Sequence, residues 1–365
     1  MFPSVSVVIL NYNGRGILGE QLLSRFISSV LCSNYPTFEV LFFDNGSTDG
    51  SVEFVRKKFR DNSRLKIIVN PKNDGYALGN NLAVGHAHGK YFALLNNDAE
   101  VDKNWILELV KMLESDASIG IAQSKIFFFD QTHIQSAGNL LDMSLSAYII
   151  GHNEEDKGQY DRVCEITFAS GAALMIRRSL IDEIGLFDSS YFFYHDDADL
   201  SWRARLAGFK IVSVPSSIVY HKGQATSSAT FKKGQERLFA FCCRFGLLVK
   251  NLELKNFPKF LTLMSLIFGM EWSGLINQGD AATPRRFLVW AIRNFRHNWE
   301  QRMLVQTRIR KVSDDTVLKS FLNSSLVVLR ITLCLDKLVG GRAAKDFNKI
   351  ANRITDNYYR KHLRN

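Results

Sequence analysis

No segment of this 365-residue chain is dominated by Gly and Ser, by Pro or by Gln, and no internal repeat is found. Repeat solenoids and low-complexity arrays are therefore excluded. Metal-binding cysteine spacing is also missing. The five cysteines, Cys32, Cys164, Cys242, Cys243 and Cys334, are odd in number and form no CxxC. That argues against a zinc cluster or disulfide framework and for free thiols in a reducing compartment. Long uncharged apolar runs are lacking too. Phe257–Ile276 is the most apolar window, yet Lys259 and Glu271 shorten it, and Arg330 breaks Ser320–Leu335. A spanning helix needs about 20 apolar residues, so none is predicted. No basic segment or cleavage site precedes Ser4–Leu10; that stretch reads as a first strand, and a secretory signal is not expected.

What is present is enough apolar residue for a sizeable core, 46% of the chain, and an uneven charge. Residues 1–230 hold 21 Lys and Arg against 26 Asp and Glu, a net of −5. Residues 231–365 hold 25 against 10, a net of +15. The formal charge of +10 thus belongs to the C-terminal third. Nucleic acid, anionic lipid and anionic substrate would all be attracted by it. No nucleic-acid reading motif accompanies the charge, so nucleic acid is not an expected partner.

The first half alternates short apolar or β-branched runs with longer amphipathic segments, the signature of an α/β fold. Strands are predicted at Val5–Leu10, Val40–Phe43, Leu65–Val69, Tyr91–Leu95 and Gly120–Phe128. Helices fit Ile17–Cys32, Ser51–Phe59, Ala77–His88 and Asn104–Glu114. Further on, Ala172–Ile176 reads as a strand, a short helix begins near Arg178, Asp197–Ala207 as a helix stopped by Gly208, and Lys210–Val214 as a strand. Beyond about residue 230 the chain becomes helical, basic and aromatic.

Gly14-Arg-Gly-Ile-Leu-Gly19 matches GxGxxG, and Asp44 ends the second strand, as a dinucleotide-binding fold would require. Against that reading, Asn11-Tyr-Asn13 separates the strand from the first glycine, and Asp44 leads into a polar turn, Asn45-Gly-Ser-Thr-Asp-Gly-Ser51. An NAD(P)-binding enzyme stays open as the alternative here, as does a non-catalytic protein that binds sugar nucleotides.

Four segments carry the candidate chemistry. Asp44 ends an apolar strand; Asn73-Asp-Gly-Tyr-Ala-Leu-Gly-Asn-Asn81 is a polar loop entering a helix; Asn96-Asn-Asp98 ends the run Tyr91–Leu95; and Asp196-Asp197 is followed, one strand later, by His221. Singly, each acid fits a turn former or helix cap, and His221 fits a structural histidine. Together they fall at strand ends of one expected sheet, where open α/β folds bind ligands.

Ser6-Val-Val-Ile-Leu-Asn-Tyr-Asn13, Phe43-Asp-Asn-Gly-Ser-Thr-Asp-Gly-Ser51, the Asn73–Asn81 loop, Leu94-Leu-Asn-Asn-Asp98, Gly171-Ala-Ala and Phe193-Tyr-His-Asp-Asp-Ala-Asp-Leu-Ser-Trp-Arg203 follow one another in an order that resembles the family 2 glycosyltransferases. The likeness is to the rhamnosyltransferase-like branch and covers about residues 4–225. It implies a GT-A fold, an α/β nucleotide-diphospho-sugar transferase architecture with a mixed central sheet, over residues 1–228. A basic, mostly helical segment would follow over 229–365. By the same resemblance, Asp44 contacts the nucleobase, with Asn11, Asn13, Asn73, Gly75, Asn81, Asn96 and Asn97 on the donor side. Asp98 and His221 bind a divalent metal, Mg²⁺ or Mn²⁺. Asp197, or its neighbour Asp196, is the general base, and Gly171 and Trp202 meet the acceptor, with Tyr191–Tyr194 as further groove candidates. Two positions depart from the pattern: Asn96 stands where a first DxD acid is usual, and Asp196-Asp197 replaces Glu-Asp. The implied activity is inverting transfer of a sugar from a nucleotide-diphospho-sugar to a saccharide hydroxyl, on a lipid-linked acceptor in cell-surface polysaccharide assembly. The implied location is cytoplasmic, at the inner face of the cell membrane.

In the C-terminal third, Phe287, Ala291, Phe295, Trp299 and Met303 recur every four residues beside Arg285, Arg286, Arg293, Arg296 and Arg302. That pattern fits a basic amphipathic helix, expected either in peripheral contact with an anionic membrane or as a cap on the catalytic domain.

Overall fold

A computed structural model of the chain describes residues 2–191, 196–223, 235–322 and 344–363, the last from residue 350 onward with side chains. Tyr191 is described, whereas 192–194 of the expected aromatic groove are not. Cys334, Arg330 and the expected 228/229 boundary also lie outside the described residues. The four described cysteines are free thiols.

Among the described residues one ten-stranded sheet organises the fold. Its first half is parallel: β3 (Leu65–Asn70), β2 (Phe38–Asn45), β1 (Val5–Asn11) and β4 (Tyr91–Asn96) lie side by side in that order. Then the direction changes. β11 (Ala173–Arg177) runs antiparallel between β4 and β6 (Ile119–Phe128), and β12 (Lys210–His221) runs parallel to β6. Short strands complete the edges: β5 (Ala99–Val101) pairs the end of β12, β7 (Ile134–Ser136) pairs β6, and β10 (Cys164–Glu165) pairs β12. β8 (Asn139–Leu141) and β9 (Ala147–Ile149) form a separate hairpin. The antiparallel β11 rules out the dinucleotide-binding topology, whose sheet continues in parallel.

The central strands are buried on both faces, which is why they read as continuous apolar runs. Helix α2 (Glu20–Leu31) shows the opposite pattern. Leu23, Phe26, Ile27 and Val30 recur at helical spacing and are buried against one face of the sheet. Burying such a side chain contributes about 1.5–3 kcal/mol. Instead of one helix from Ile17, the chain forms α1 (Gly14–Leu18) and then α2, because Gly19 adopts φ 83° between them. That break separates the GxGxxG segment from the long helix a dinucleotide site would need. The remaining helices of this half are α3 (Ser51–Lys58), α4 (Gly75–Val84), α5 (Trp105–Ser115), α6 (Arg178–Ile184) and α7 (Asp196–Leu206).

The C-terminal third is helical: α8 (Gln235–Asn251), α9 (Phe257–Asn277), α10 (Ala282–Leu304) and α11 (Ala344–Lys361). Phe241, Leu247 and Leu248 of α8, Phe260 and Met264 of α9 and Phe287 of α10 share one apolar core with Phe92, Leu94 and Trp202. A buried ion cluster joins the same parts. Lys250 of α8, 1% exposed, places Nζ 2.6 Å from Asp188 and 3.0 Å from Asp199 of α7. Arg203 pairs Asp199 at 2.8 Å, and its other nitrogens donate to carbonyls at the end of α6, Ile184 at 2.7 Å among them. Burial would raise the Asp188 carboxyl, yet the Lys250 ammonium holds it well below the usual range.

Removing one partner from a buried ion cluster leaves charge uncompensated, at a cost of about 3–5 kcal/mol. Lys250→Met is therefore expected to lower the thermal midpoint sharply, as followed by circular dichroism. A midpoint within a degree of wild type would show that the cluster does not hold α7 to the C-terminal helices.

Candidate active site

The carboxyl ends of β1, β2 and β4 converge, because their register sets Asn11 opposite Asp44 and Leu10 opposite Asn96. Asp44 has no exposed surface. Asn11 donates to it at 2.9 Å, and the Ser47 backbone N–H and hydroxyl donate at 3.0 and 2.6 Å. Asn97 in turn donates to the Asn11 side-chain oxygen at 2.9 Å. Asp44 and Asn11 thus form a covered knot that shapes the 44–51 turn, so neither presents an open edge to a base. The partly exposed residues beside the knot are Asn13, in the left-handed region at φ 50°, and Ser47, whose hydroxyl accepts from the Asn13 N–H at 2.8 Å.

The polar loop before α4 is held in the same manner. Asn73 accepts from Asn45 at 3.1 Å and from the Gly75 N–H at 2.9 Å. Gly46 lies so close to this loop that a Cβ would meet the Lys72 carbonyl carbon at 2.5 Å, and its φ is +78°. Two of the expected site residues are engaged within the protein here. Asn81 exchanges two hydrogen bonds with the Phe187 backbone, at 2.8 and 3.0 Å, so its amide clamps the 185–188 turn. Trp202 is 1% exposed and edge-on to Phe321 at 5.1 Å. It lies on the core side of α7 and lines no groove. Gly75 is buried as well.

Asp98 and His221, far apart in sequence, meet because β5 pairs the end of β12, setting His221 opposite Ala99. His221 Nε2 lies 2.9 Å from Asp98 Oδ1, and the Asn96 amide is 3.2 Å from the same nitrogen. On the other side of the ring, Nδ1 lies 2.7 Å from the Gln135 side-chain oxygen on β7. With that oxygen as acceptor Nδ1 carries a proton, and the Nε2 contact to the carboxylate is a hydrogen bond when Nε2 is protonated as well. Burial would raise the Asp98 carboxyl, but the facing imidazole and its hydrogen bond hold it below the usual value. Two adjacent ligands at about 2.0–2.2 Å from one ion stand roughly 3 Å apart. The Asp98–His221 spacing therefore fits a shared divalent cation. Among the described residues no group of three or more His, Cys, Asp or Glu side chains surrounds such a position. Gln135 carries no motif and was invisible in the sequence; only the short β7 pairing brings it here.

Asp197 stands at the start of α7. The Gly171 N–H donates to its Oδ2 at 3.0 Å and the Ala198 N–H to its Oδ1 at 2.8 Å. Gly171 also accepts from the Tyr76 hydroxyl at 2.7 Å, and a Cβ there would sit 2.7 Å from that oxygen. One residue on, the Ala172 carbonyl accepts from the Asn96 N–H at 3.1 Å. A chain of contacts through the backbone thus joins Asp197 to the end of β4, two residues before Asp98. Burial pushes the Asp197 carboxyl up to about 6, against the pull of its two N–H donors. Burial and the neighbouring Asp197 push Asp196 well up, and Asp196 Oδ2 has no hydrogen-bond partner.

Residues 6–185 match the model of glycosyl transferase family 2. The chain carries a family 2 glycosyltransferase domain. O-antigen biosynthesis protein RfbC of Myxococcus xanthus is 26% identical to it over 243 residues, 62% of this chain and 18% of that one. The N-acetylglucosaminyl-diphospho-decaprenol L-rhamnosyltransferase of Mycobacterium tuberculosis is 26% identical over 237 residues, 56% of this chain and 73% of that one. The chain spans between 18% and 35% of the length of the first curated relatives it matches. Among solved structures, GalNAc-T7 with UDP, GalNAc and Mn²⁺ superposes with a TM-score of 0.58 at 17% identity, covering 84% of this chain and 56% of that one. The GT-A fold expected from the motifs is therefore the fold of this glycosyltransferase domain.

The raised acids of this domain make a thermodynamic statement. An unfolded Asp titrates near 3.9, so as pH rises the unfolded chain loses these protons first and stability declines until the folded values are passed. Asp196→Asn is accordingly expected to raise the thermal midpoint at pH 7.5 by several degrees, with the gain shrinking towards pH 4. A lower midpoint at pH 7.5 would mean that the ionised Asp196 is itself stabilising.

Proposed function

We propose that this protein is an inverting, metal-dependent glycosyltransferase. It moves a sugar from a nucleotide-diphospho-sugar to a hydroxyl of a lipid-linked saccharide during assembly of a cell-surface polysaccharide. The observation that carries the reading is Asp197: a carboxylate at a helix start, gripped by two backbone N–H groups, with its proton affinity moved close to neutral. A general base works best when its pKa lies near the working pH.

In this reading the acceptor hydroxyl gives its proton to Asp197 as its oxygen forms the new bond to the anomeric carbon. The bond from that carbon to the diphosphate breaks on the opposite face, its electron pair leaves with the phosphate oxygen, and the anomeric configuration inverts. Burial and the neighbouring Asp197 push the Asp196 carboxyl well up, and its Oδ2 has no hydrogen-bond partner, whereas Asp197 is gripped by two N–H donors; this supports assigning the base to Asp197. Gly171 fixes the orientation of the base. Asn13, Asn73 and Asn96 are the donor-side groups left with exposed surface, while Asp44, Asn11 and Asn97 act by holding the 44–51 turn in shape. Asp98 and His221 would hold Mg²⁺ or Mn²⁺, which supplies Lewis-acid stabilisation of the departing diphosphate; GalNAc-T7 was crystallised with UDP and Mn²⁺. Gln135 orients His221, and outer partners of this kind are typically worth about 10–100-fold in metal affinity.

A lipid-linked acceptor is supported by the mycobacterial relative, whose name describes rhamnosyl transfer to N-acetylglucosaminyl-diphospho-decaprenol. Such an acceptor places the enzyme in the cytoplasm against the inner face of the cell membrane.

Asp197→Asn is expected to retain donor binding by calorimetry while transfer, assayed over a panel of UDP-, GDP- and dTDP-sugars, falls about 10²–10⁴-fold. For the wild type, transfer should rise as pH passes about 6, where the base loses its proton, and then level off. Near-wild-type transfer by the variant would remove Asp197 from the role, and donor binding without turnover by the wild type would favour a non-catalytic relative. Gln135→Leu should raise the metal concentration needed for half-maximal transfer about 10–100-fold; an unchanged requirement would separate Gln135 from the metal.

A further inference from the structure

Helix α10 is built inside out. Its buried positions include Asn298, with no exposed surface, and Arg302, 4% exposed, whose guanidinium donates to the Val249 and Leu252 carbonyls at 2.7 Å each. These contacts cap the end of α8 and commit the polar side of α10 to the protein. The apolar side is left outward: Leu288, Ile292, Phe295, Trp299 and Met303, spaced four, three, four and four apart, are 49%, 79%, 51%, 41% and 50% exposed. That spacing draws one stripe along the helix. Phe295 and Trp299 stack on each other at 6.0 Å within it. The sequence pattern placed Phe287 on this stripe, but Phe287 is 4% exposed and sits in the core against Phe268 and Trp272. The four-residue repeat drifts around a helix of 3.6 residues per turn, so its start faces in and its end faces out.

A soluble surface rarely exposes such a stripe without a use. Charge decides what covers it. Arg285, Arg286, Arg293 and Arg296 are exposed on α10, with Glu300 the one exposed acid of that helix, and Lys255 and Lys259 are exposed before and at the start of α9. Helix α9, with the turn before it, is also long and apolar enough to cross a membrane (Leu254–Asn277, mean hydropathy 1.3). Its inner face is engaged, however: Phe260, Met264, Ile267, Phe268 and Leu275 are buried, and Glu271 pairs Arg244 at 2.5 Å. A spanning pose would strip those contacts. Lying flat keeps them.

We infer that the outer face of α10, with the basic residues beside it, is a docking surface for an anionic lipid bilayer, on which the helix lies parallel to the membrane plane. The apolar stripe enters the acyl boundary while the arginines meet lipid phosphates. This deepens the reading of a lipid-linked acceptor by naming the surface that holds the enzyme where that acceptor is. It does not depend on catalysis.

The test is flotation of the full-length protein with vesicles of phosphatidylcholine alone or doped with phosphatidylglycerol. Wild type is expected to float with the anionic vesicles, at least about tenfold more than with neutral ones. The triple change Ile292→Asp, Phe295→Asp and Trp299→Asp should abolish flotation, while Arg285→Glu, Arg293→Glu and Arg296→Glu should remove the preference for anionic lipid. All six positions are exposed, so circular dichroism should show an unchanged fold. Asp197→Asn should float as wild type, so failure of docking and failure of the transferase reading are told apart. Wild type that ignores both vesicles, or apolar-stripe variants that float normally, would overturn the inference. So would a wild-type dimer in size-exclusion chromatography that the triple change splits, since the stripe would then face a second copy.

Discussion

The contact between the Gly171 N–H and the Asp197 carboxylate is the constraint on which the site depends. Gly171 lies at the point where the antiparallel strand β11 enters the middle of an otherwise parallel region, beside the end of β4. A strand entering there in the opposite direction starts where its neighbour ends. The start of β11 is thereby placed next to Asn96 and Asp98, and the helix that Gly171 grips brings its acid to the same edge. An all-parallel sheet would put a strand's carboxyl end there. The mixed topology is thus what joins Asp197, the proposed base, to the residues proposed for the leaving group.

The same edge stores unfavourable electrostatics. A buried aspartate with an oxygen lacking any partner, Asp196, and its half-buried neighbour Asp197 are held in place by a well-packed helix. Arg203 and Lys250 pair Asp199, and Arg203 and Arg205 donate from later in α7 to carbonyls at the end of α6 and to Glu165, Ile166 and Thr167, which leaves the first turn of α7 short of positive charge. A cation beside Asp197 would hold its proton affinity low and weaken it as a base. Placing the cations one turn later stabilises the helix and leaves the acid near neutrality. In the proposed role for Asp197, stability and catalytic readiness are separated along eleven residues of one helix.

Much of this was legible in the sequence. The apolar runs of the central strands, Asp98 just beyond β4, His221 at the end of β12, the acids at the start of α7 and the stop at Gly208 all follow from local pattern. Less visible were features decided by tertiary contact. Strands β7 to β10 are two or three residues long and lie among turn-forming residues, so no periodicity announces them, and Gln135 was hidden with them. Trp202 looked available because it follows an acidic motif, but nearly every residue of α7 is buried. Asp44 read correctly as a strand end, yet its coverage by Ser47 and Asn11 depends on how the 44–51 turn folds back. In α10, polar residues face inward because they cap a helix that only the fold brings near.

The central claim is that Asp197 is a base poised near neutrality, and carboxyl ¹³C NMR of aspartate-labelled protein measures this directly. A resonance present in wild type and absent from Asp197→Asn should titrate with a midpoint of about 6. A midpoint near that of an ordinary aspartate, about 4, would contradict the account.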